Sequence, residues 1–430
     1  MDAVSHNAEG DGSLSDKQVS ETVAQSLSAA EYTGKRVLLI VPDHTRSAPV
    51  GQLFKAIHEQ IGDATAKLDV MIALGTHPPM SEEAICKRLE ISTDERRGKF
   101  AAVEFHNHEW DNPDALREVG TIPAADIAEL SGGKFAMKLP VKINRRLFDY
   151  DQVIIVGPVF PHEVAGFSGG NKYLFPGVSG PELLNFFHWL GAVISNPKII
   201  GHKWTPVRKV IDLAASMVAI DKRCFAMVAR PDKSLAGLFF GTPESAWDAA
   251  SDLSAREHIT YMERPFHTIV SCAPPMYDDL WVGGKCMYKL EPVLADGGEL
   301  IIYAPHIRAI SHTHGELLAE IGYHTSAYLL HHWEKYKNYP WGLLAHSAHV
   351  KGIGTVEDNG AEHPRARVTL ATGLLEETCR QINLGYADPA TLDIEQFADR
   401  ESEGILLVRQ AGERLYHLRQ RPAWAGGAES

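Results

Sequence analysis

The sequence predicts an α/β protein: two α/β domains with mainly parallel sheets and an active site in the cleft between them. Three observations predict it. Short apolar runs of the buried-strand kind alternate with stretches of helical periodicity. The same beat resumes after a break near residue 265. The 430 residues also exceed one core, since about 150 residues per domain is the usual share. Strands alternating with helices make a mainly parallel sheet covered on both faces. The division expected is a disordered tail over 1–14, an N-terminal domain over 15–264 and a C-terminal domain over 265–430 that closes the cleft.

Taken in order, Ser15 is an N-cap for a helical stretch reaching Ala29. Arg36–Pro42 is a short apolar strand, followed by a polar loop and a helix over Val50–Ile61. Leu68–Leu74 reads as a strand and Ser81–Leu89 as a helix, with Ser81 capping and Glu82 and Glu83 in its first turn. Ala101–Phe105 and Val153–Val156 are further strands. Beyond the break the expected strands are His267–Cys272, Leu300–Tyr303 and Arg367–Ala371. Helices are expected around Lys285–Ala295, Gly315–Gly322 and Gly373–Asn383. There is no internal repeat and no low-complexity segment.

Composition narrows the function. Lys plus Arg number 42 against 55 Asp plus Glu, a net charge of −13. That balance argues against a general nucleic-acid or anionic-membrane binder, which needs positive charge to hold phosphate. An anionic ligand must then be met by a local cluster of cations. Five cysteines are scattered without a CxxC pair, which fits reduced thiols in the cytoplasm. The polar N-terminus predicts no signal peptide, and no apolar run approaches the roughly 20 residues that span a bilayer.

In open parallel sheets, ligands bind beyond the carboxyl ends of the strands. Three such ends carry unusual residues: Asp43-His44-Thr45-Arg46, Gly75-Thr76-His77-Pro78-Pro79, and the run from Gly157 through His162 and Glu163 to Lys172. The third is glycine-rich, with Gly166, Gly169, Gly170, Gly177 and Gly180 around Lys172. Glycines let backbone N–H groups close on an anion, and a lysine adds a point charge. It is neither a Walker A loop nor a GxGxxG fingerprint. Gly166-Phe-Ser168-Gly-Gly170 matches the GxSxG nucleophile elbow, but that elbow needs a strand running straight into the serine, and Pro161 and Glu163 precede it.

Histidine is abundant, at 21 residues. His106-Asn-His108 heads an acidic loop, and His162, Lys172 and His188 surround the glycine loop. An ordinary strand end accounts for the first group, and a satisfied helical histidine accounts for His188, as readily as a reactive site does. Neither HExxH nor a zinc-finger spacing is present. Asp278 to Lys285, with Trp281, Gly283 and Gly284, offers a cation and an aromatic ahead of a helix.

Together these segments resemble the nickel-dependent lactate racemase family. DHTR at 43–46, GTHPPMSEE at 75–83, NHEWDNPDALREVG at 107–120 and PHEVAGFSGGNKYLFPGVSG at 161–180 carry the resemblance, with His188 and WVGGK following in order. The resemblance implies a nickel-pincer nucleotide, a pyridinium mononucleotide holding nickel, tethered covalently through Lys172. It implies His188 as the protein's nickel ligand and His108 and His162 as the acid/base pair. Arg46 and Lys285 would hold the substrate carboxylate, Trp281 and Trp341 would line the pocket, and Asp43, Thr45, Ser168, Gly169 and Gly170 would support the cofactor. Cofactor-synthesis proteins would be its partners. The implied reaction inverts C2 of a 2-hydroxy acid by hydride transfer.

The chain departs from the family where a Tyr-Gln pair gives way to Trp281-Val282, and where Ser47-Ala48 replace a proline after the arginine. These departures favour a substrate other than lactate, such as a sugar acid. Two other classes compete: a metal-dependent hydrolase using His106, His108 and His162, and a non-catalytic sugar-acid binding protein. A dehydrogenase is disfavoured by the missing dinucleotide fingerprint.

Overall fold

Strands form where β-branched and leucine side chains run without a polar break. In a computed structural model, which describes residues 4–10, 12–420, 422 and 424, seven strands make the first sheet. They are β1 (Val4–Asn7), β2 (Arg36–Pro42), β3 (Lys67–Ala73), β4 (Phe105–Asn107), β5 (Gln152–Pro158), β6 (Asp221–Ala229) and β7 (Leu235–Gly241). Their order is β1-β7-β6-β5-β2-β3-β4. The five strands from β6 to β4 are parallel, and β7 and β1 add an antiparallel edge. From β2 the chain steps outward to β3 and β4, then returns to the other side of β2 at β5. The switch point of the sheet therefore lies between the carboxyl ends of β2 and β5.

The helices follow their caps. Ser15 caps Asp16–Ser26 in a reciprocal box with Gln18, an arrangement worth about 1 kcal/mol. The helix ends at Leu27, short of Ala29, because the chain there turns extended. Val50–Ile61 buries Val50, Leu53, Phe54, Ile57 and Ile61 in the same apolar cluster as Val37, Leu39 and Val41 of β2. Each such side chain contributes about 1.5–3 kcal/mol on burial.

Two expectations fail in this part. Residues 4–7 are not a disordered tail: they pair with Gly237–Phe240 of β7, and Leu14 is buried. Main-chain ladder bonds hold this edge strand, so its polar side chains gave no sign of it. The strand expected over Ala101–Phe105 instead occupies Phe105–Asn107, which moves His106 into the strand and leaves His108 just beyond it.

The second sheet has five parallel strands: β8 (Phe266–Cys272), β9 (Leu294–Ala304), β10 (Arg367–Thr372), β11 (Gly385–Tyr386) and β12 (Ile405–Val408), in the order β11-β10-β9-β8-β12. The helix expected over Lys285–Ala295 is only Lys285–Tyr288, followed by a 3₁₀ turn at Glu291–Val293 that contains Pro292 and leads into β9. The helix expected over Gly373–Asn383 shortens to Glu376–Gln381.

The chain divides into two units that interleave in sequence instead of meeting at one cut near 265. The first comprises Met1–Phe160, Phe167–Leu184 and Arg208–Glu257; the second comprises Pro161–Gly166, Asn185–Val207 and His258–Ser430. Among the described residues, no helix is long and apolar enough to cross a membrane.

Candidate active site

In the first unit the strand-end loops converge on an aspartate. Asp43 follows β2 and is buried; one carboxylate oxygen accepts the Thr45 N–H at 3.1 Å and the Thr45 hydroxyl at 2.6 Å. The other lies 2.6 Å from Nδ1 of His77, whose side chain is 49% exposed. Gly75, with φ of +59°, makes the turn that brings His77 back, and the His77 N–H closes that turn on the Leu74 carbonyl at 2.9 Å. Burial alone would raise the Asp43 carboxyl, but the His77 bond and charge, Thr45 and the Arg46 guanidinium outweigh it and hold it at about 2. Asp43 is thus ionised at neutral pH and accepts a hydrogen bond from Nδ1–H, leaving Nε2 of His77 as the basic atom.

The glycine loop is gripped from beneath. Arg208, fully buried, donates to the Phe167 and Gly169 carbonyls, and Trp247 Nε1 donates to the Ser168 carbonyl at 2.9 Å. The Arg208 guanidinium also lies 4.1 Å from the Trp247 ring centroid. Gly169 and Gly170 have φ of +87° and +58°, and a Cβ at either would lie within 3 Å of Val159 or Trp247. These glycines serve close packing on Val159 and Trp247. Asn171 is anchored by Asp212 at 3.0 Å and Glu244 at 2.7 Å, and Lys172 follows on the 3₁₀ turn Gly170–Tyr173. The Gly177 carbonyl, five residues on, accepts the Gly75 N–H at 2.9 Å, which ties the Lys172 loop to the turn bearing His77.

Two expected residues do different work. Ser168 is buried; its hydroxyl accepts the Phe160 N–H at 2.9 Å and donates to the Pro158 carbonyl at 3.2 Å. It clasps the loop to the end of β5 and is neither a phosphate contact nor a nucleophile. His108 is also buried: Nε2 donates to the Ser179 carbonyl at 2.9 Å, and Nδ1 accepts from Asn144 at 3.1 Å. Both ring nitrogens are satisfied in the neutral ring. Burial lowers the His108 basicity further, offset in part by the Ser179 carbonyl. His108 is therefore a structural histidine, and the residue that the sequence left without a role is His77. Its signal was present: a histidine two residues past a glycine, on a loop leaving a buried strand.

His106 and His108 turn to different partners. His106 Nε2 lies 3.3 Å from the Tyr150 hydroxyl and 3.8 Å from Asp69, apart from the partners of His108. Asp69, Glu104 and His106 do converge, but the Lys67 ammonium already sits 2.9 Å from Asp69 and 3.0 Å from Glu104. A cation already occupies that acidic position.

The second unit holds the other expected residues. His162 is buried; its Nδ1 accepts the Val164 N–H at 3.1 Å and lies 3.5 Å from Glu163. Burial would raise the Glu163 carboxyl, yet the charges of His162, His349 and Lys289 and a backbone N–H bring it below the ordinary range. His188 stands half-buried on the helix Pro181–Ile194. The helix Trp341–Lys351 adds two buried histidines that sequence reasoning missed. Burial and then the charge of His349 push His346 down to about 3. Burial, against the opposing charge of Glu163, and then His188 bring His349 to about 4. Trp281 packs on His346 at 4.3 Å and on His314 at 5.2 Å between centroids. Lys285 opens a short helix with its ammonium 5.1 Å from the Tyr277 ring centroid. Trp341 donates to the Lys337 carbonyl and packs on Trp333, which stacks on Trp189 beside His188 in the chain.

The fold and these loops define a class: two-unit α/β proteins with a carboxylate-held histidine and a lysine-bearing glycine loop at one sheet edge. Residues 13–200 match the lactate racemase N-terminal domain. Over that segment the chain is similar to the lactate racemase family. It is 24% identical over 284 residues to the lactate racemase of Thermoanaerobacterium thermosaccharolyticum, and 22% over 277 residues to that of Lactiplantibacillus plantarum. Those matches span 63% and 62% of this chain but only 60% and 59% of the relatives' length. A Thermotoga maritima crystal structure superposes with TM-score 0.83 at 33% identity, covering 96% of this chain and all of that one. The lactate racemase apoprotein from Thermoanaerobacterium thermosaccharolyticum superposes with TM-score 0.71 at 17% identity, over 95% and 94% of the two chains, which establishes a common fold.

Proposed function

We propose that this protein is an isomerase, a racemase or epimerase that inverts C2 of a 2-hydroxy acid other than lactate, using a nickel-pincer nucleotide held covalently by Lys172. The observation that carries the reading is the placing of Lys172 on a loop tied by the Gly75–Gly177 bond to the turn bearing His77. The residues fit such a group. His188 supplies an imidazole, a donor suited to nickel. His349, which feels the charge of His188, has a buried Nε2 without a hydrogen-bond partner among the described residues. When bound, such a group would supply a reversible hydride acceptor for C2.

The chain's own residues do the rest. His77, with Nδ1–H held by Asp43, takes the C2 hydroxyl proton at Nε2; His162 serves the other direction in place of the pairing first expected with His108. General acid–base help of this kind contributes about 10²–10⁴-fold. Arg46 and Lys285 hold the substrate carboxylate, which keeps the intermediate in place. Trp281, flanked by His314 and His346, presents a broader and less polar wall than a Tyr-Gln pair, which suits a larger acid such as a sugar acid. The five free thiols suit the reducing cytoplasm, where cofactor-synthesis proteins would load Lys172.

The test is the mass of the Lys172 peptide and the metal content of protein produced with a cofactor-synthesis pathway. A nickel-bearing adduct on Lys172, with C2 inversion in a panel of 2-hydroxy acids, is the expected result. An unmodified Lys172 would overturn the reading.

A further inference from the structure

His162 Nδ1 has two competing partners in the second unit. The Val164 N–H, at 3.1 Å, needs the Nδ1 lone pair and selects the ring that carries its proton on Nε2. The Glu163 carboxylate, at 3.5 Å, needs a proton on Nδ1. One imidazole cannot satisfy both at once. The neighbouring residue is held firmly: Lys289 donates to the Pro161 carbonyl at 3.0 Å, which fixes the strand ahead of His162.

We propose that Glu163 is a positioning residue for His162: its carboxylate competes with the Val164 N–H for Nδ1 and selects the ring form whose Nε2 accepts a proton. This rests on the reading of His162 as an acid/base group and adds how it reverses. Held by Val164, the ring carries its proton on Nε2 and is a donor. Held by Glu163, it carries the proton on Nδ1, and Nε2 is an acceptor. When Nε2 gains a proton the ring becomes a cation, and Glu163 balances it; when Nε2 gives that proton up, the neutral ring keeps its Nδ1–H towards Glu163. The other titratable groups acting on Glu163 are His349 and Lys289, and His346 feels it from the next turn of the helix Trp341–Lys351. Burial keeps His346 and His349 neutral at neutral pH, so Lys289 is the standing cation.

The experiment is the ring ¹⁵N spectrum of His162 between pH 5 and 9, assigned by difference from H162Q, in the wild type, E163Q and E163D. The expected wild type shows a resolved share of Nδ1–H ring. In E163Q that share vanishes and the His162 titration moves to lower pH by about one unit, because an anion that favoured the cation is gone. E163D, with the charge kept at shorter reach, falls between. The acidic limb of kcat should move with the titration while KM stays. Identical titrations in wild type and E163Q would overturn the proposal, as would a wild-type ring that stays Nε2–H throughout; the second needs no Glu163 variant to fold. Ring spectra need no turnover, so failure here is separable from failure of the racemase reading.

Discussion

Each unit contains a carboxylate paired with an imidazole, and the two pairs are built in opposite ways. In the first unit the carboxylate of Asp43 is buried and ionised, and His77 is half exposed at 2.6 Å. In the second the ring of His162 is buried and the Glu163 side chain is the more exposed partner, 3.5 Å away and in competition with a backbone N–H. The first arrangement fixes one ring form, and the second leaves a choice. A histidine's duty is therefore set by which partner of the pair is anchored, and proximity to a carboxylate alone does not decide it.

The contrast can be broken outright at Lys172. K172A should remove the covalent nucleotide and reduce inversion to background, read by intact mass and by assay. H77Q and D43N come next: each should lower kcat by about 10²–10⁴-fold, because one removes the base and the other releases its ring form. H108A sharpens the comparison from the opposite side. With both its nitrogens spent on Ser179 and Asn144, its loss should leave kcat within a few-fold but lower stability by about 1–3 kcal/mol, measured by urea unfolding. A kcat loss in H108A matching that in H77Q would return His108 to the catalytic role.

The smallest effect is the pH dependence of stability. His346 and His349 bind protons more weakly folded than unfolded, at about 3 and about 4 against an ordinary 6.5. Below pH 6.5 the unfolded chain therefore takes up more protons, and stability falls as pH drops towards those values. Each histidine contributes up to about 1.4 kcal/mol per pH unit in that window. Asp43, held at about 2 against 3.8, adds a loss that begins only near pH 4. Tm measured from pH 7 to 4 should fall first through the histidines, and H346Q should flatten that part of the curve.

Much of the first unit was legible because its core strands and caps are local. Arg36–Pro42, Val50–Ile61 and the Ser15 and Ser81 caps lie where side-chain periodicity and hydrogen-bonding types put them. Val4–Asn7 was not legible, since an edge strand held by main-chain bonds leaves no side-chain pattern. The three strand-end loops were found, yet His77 and His108 were indistinguishable as letters. Only the partners, Asp43 for one and Ser179 with Asn144 for the other, separate them, and those lie 34 to 71 residues away in sequence. His346 and His349 were invisible for a related reason: a helix buried nearly all round gives histidines no polar face to mark them.

The grip on the glycine loop also sets an order of events in the life of the protein. The carbonyls of Phe167, Ser168 and Gly169 are held by Arg208 and Trp247, which are made later in synthesis. A nascent chain that has just exposed Lys172 from the ribosome has the Ser168 clasp but not the Arg208 and Trp247 grip on the loop before it. On the reading proposed here, the lysine becomes a defined acceptor only after residue 247 has emerged and the first unit has closed around it. Loading is then a maturation step performed on a folded protein, and an apoprotein pool should accumulate, stable and waiting, in any cell short of nickel.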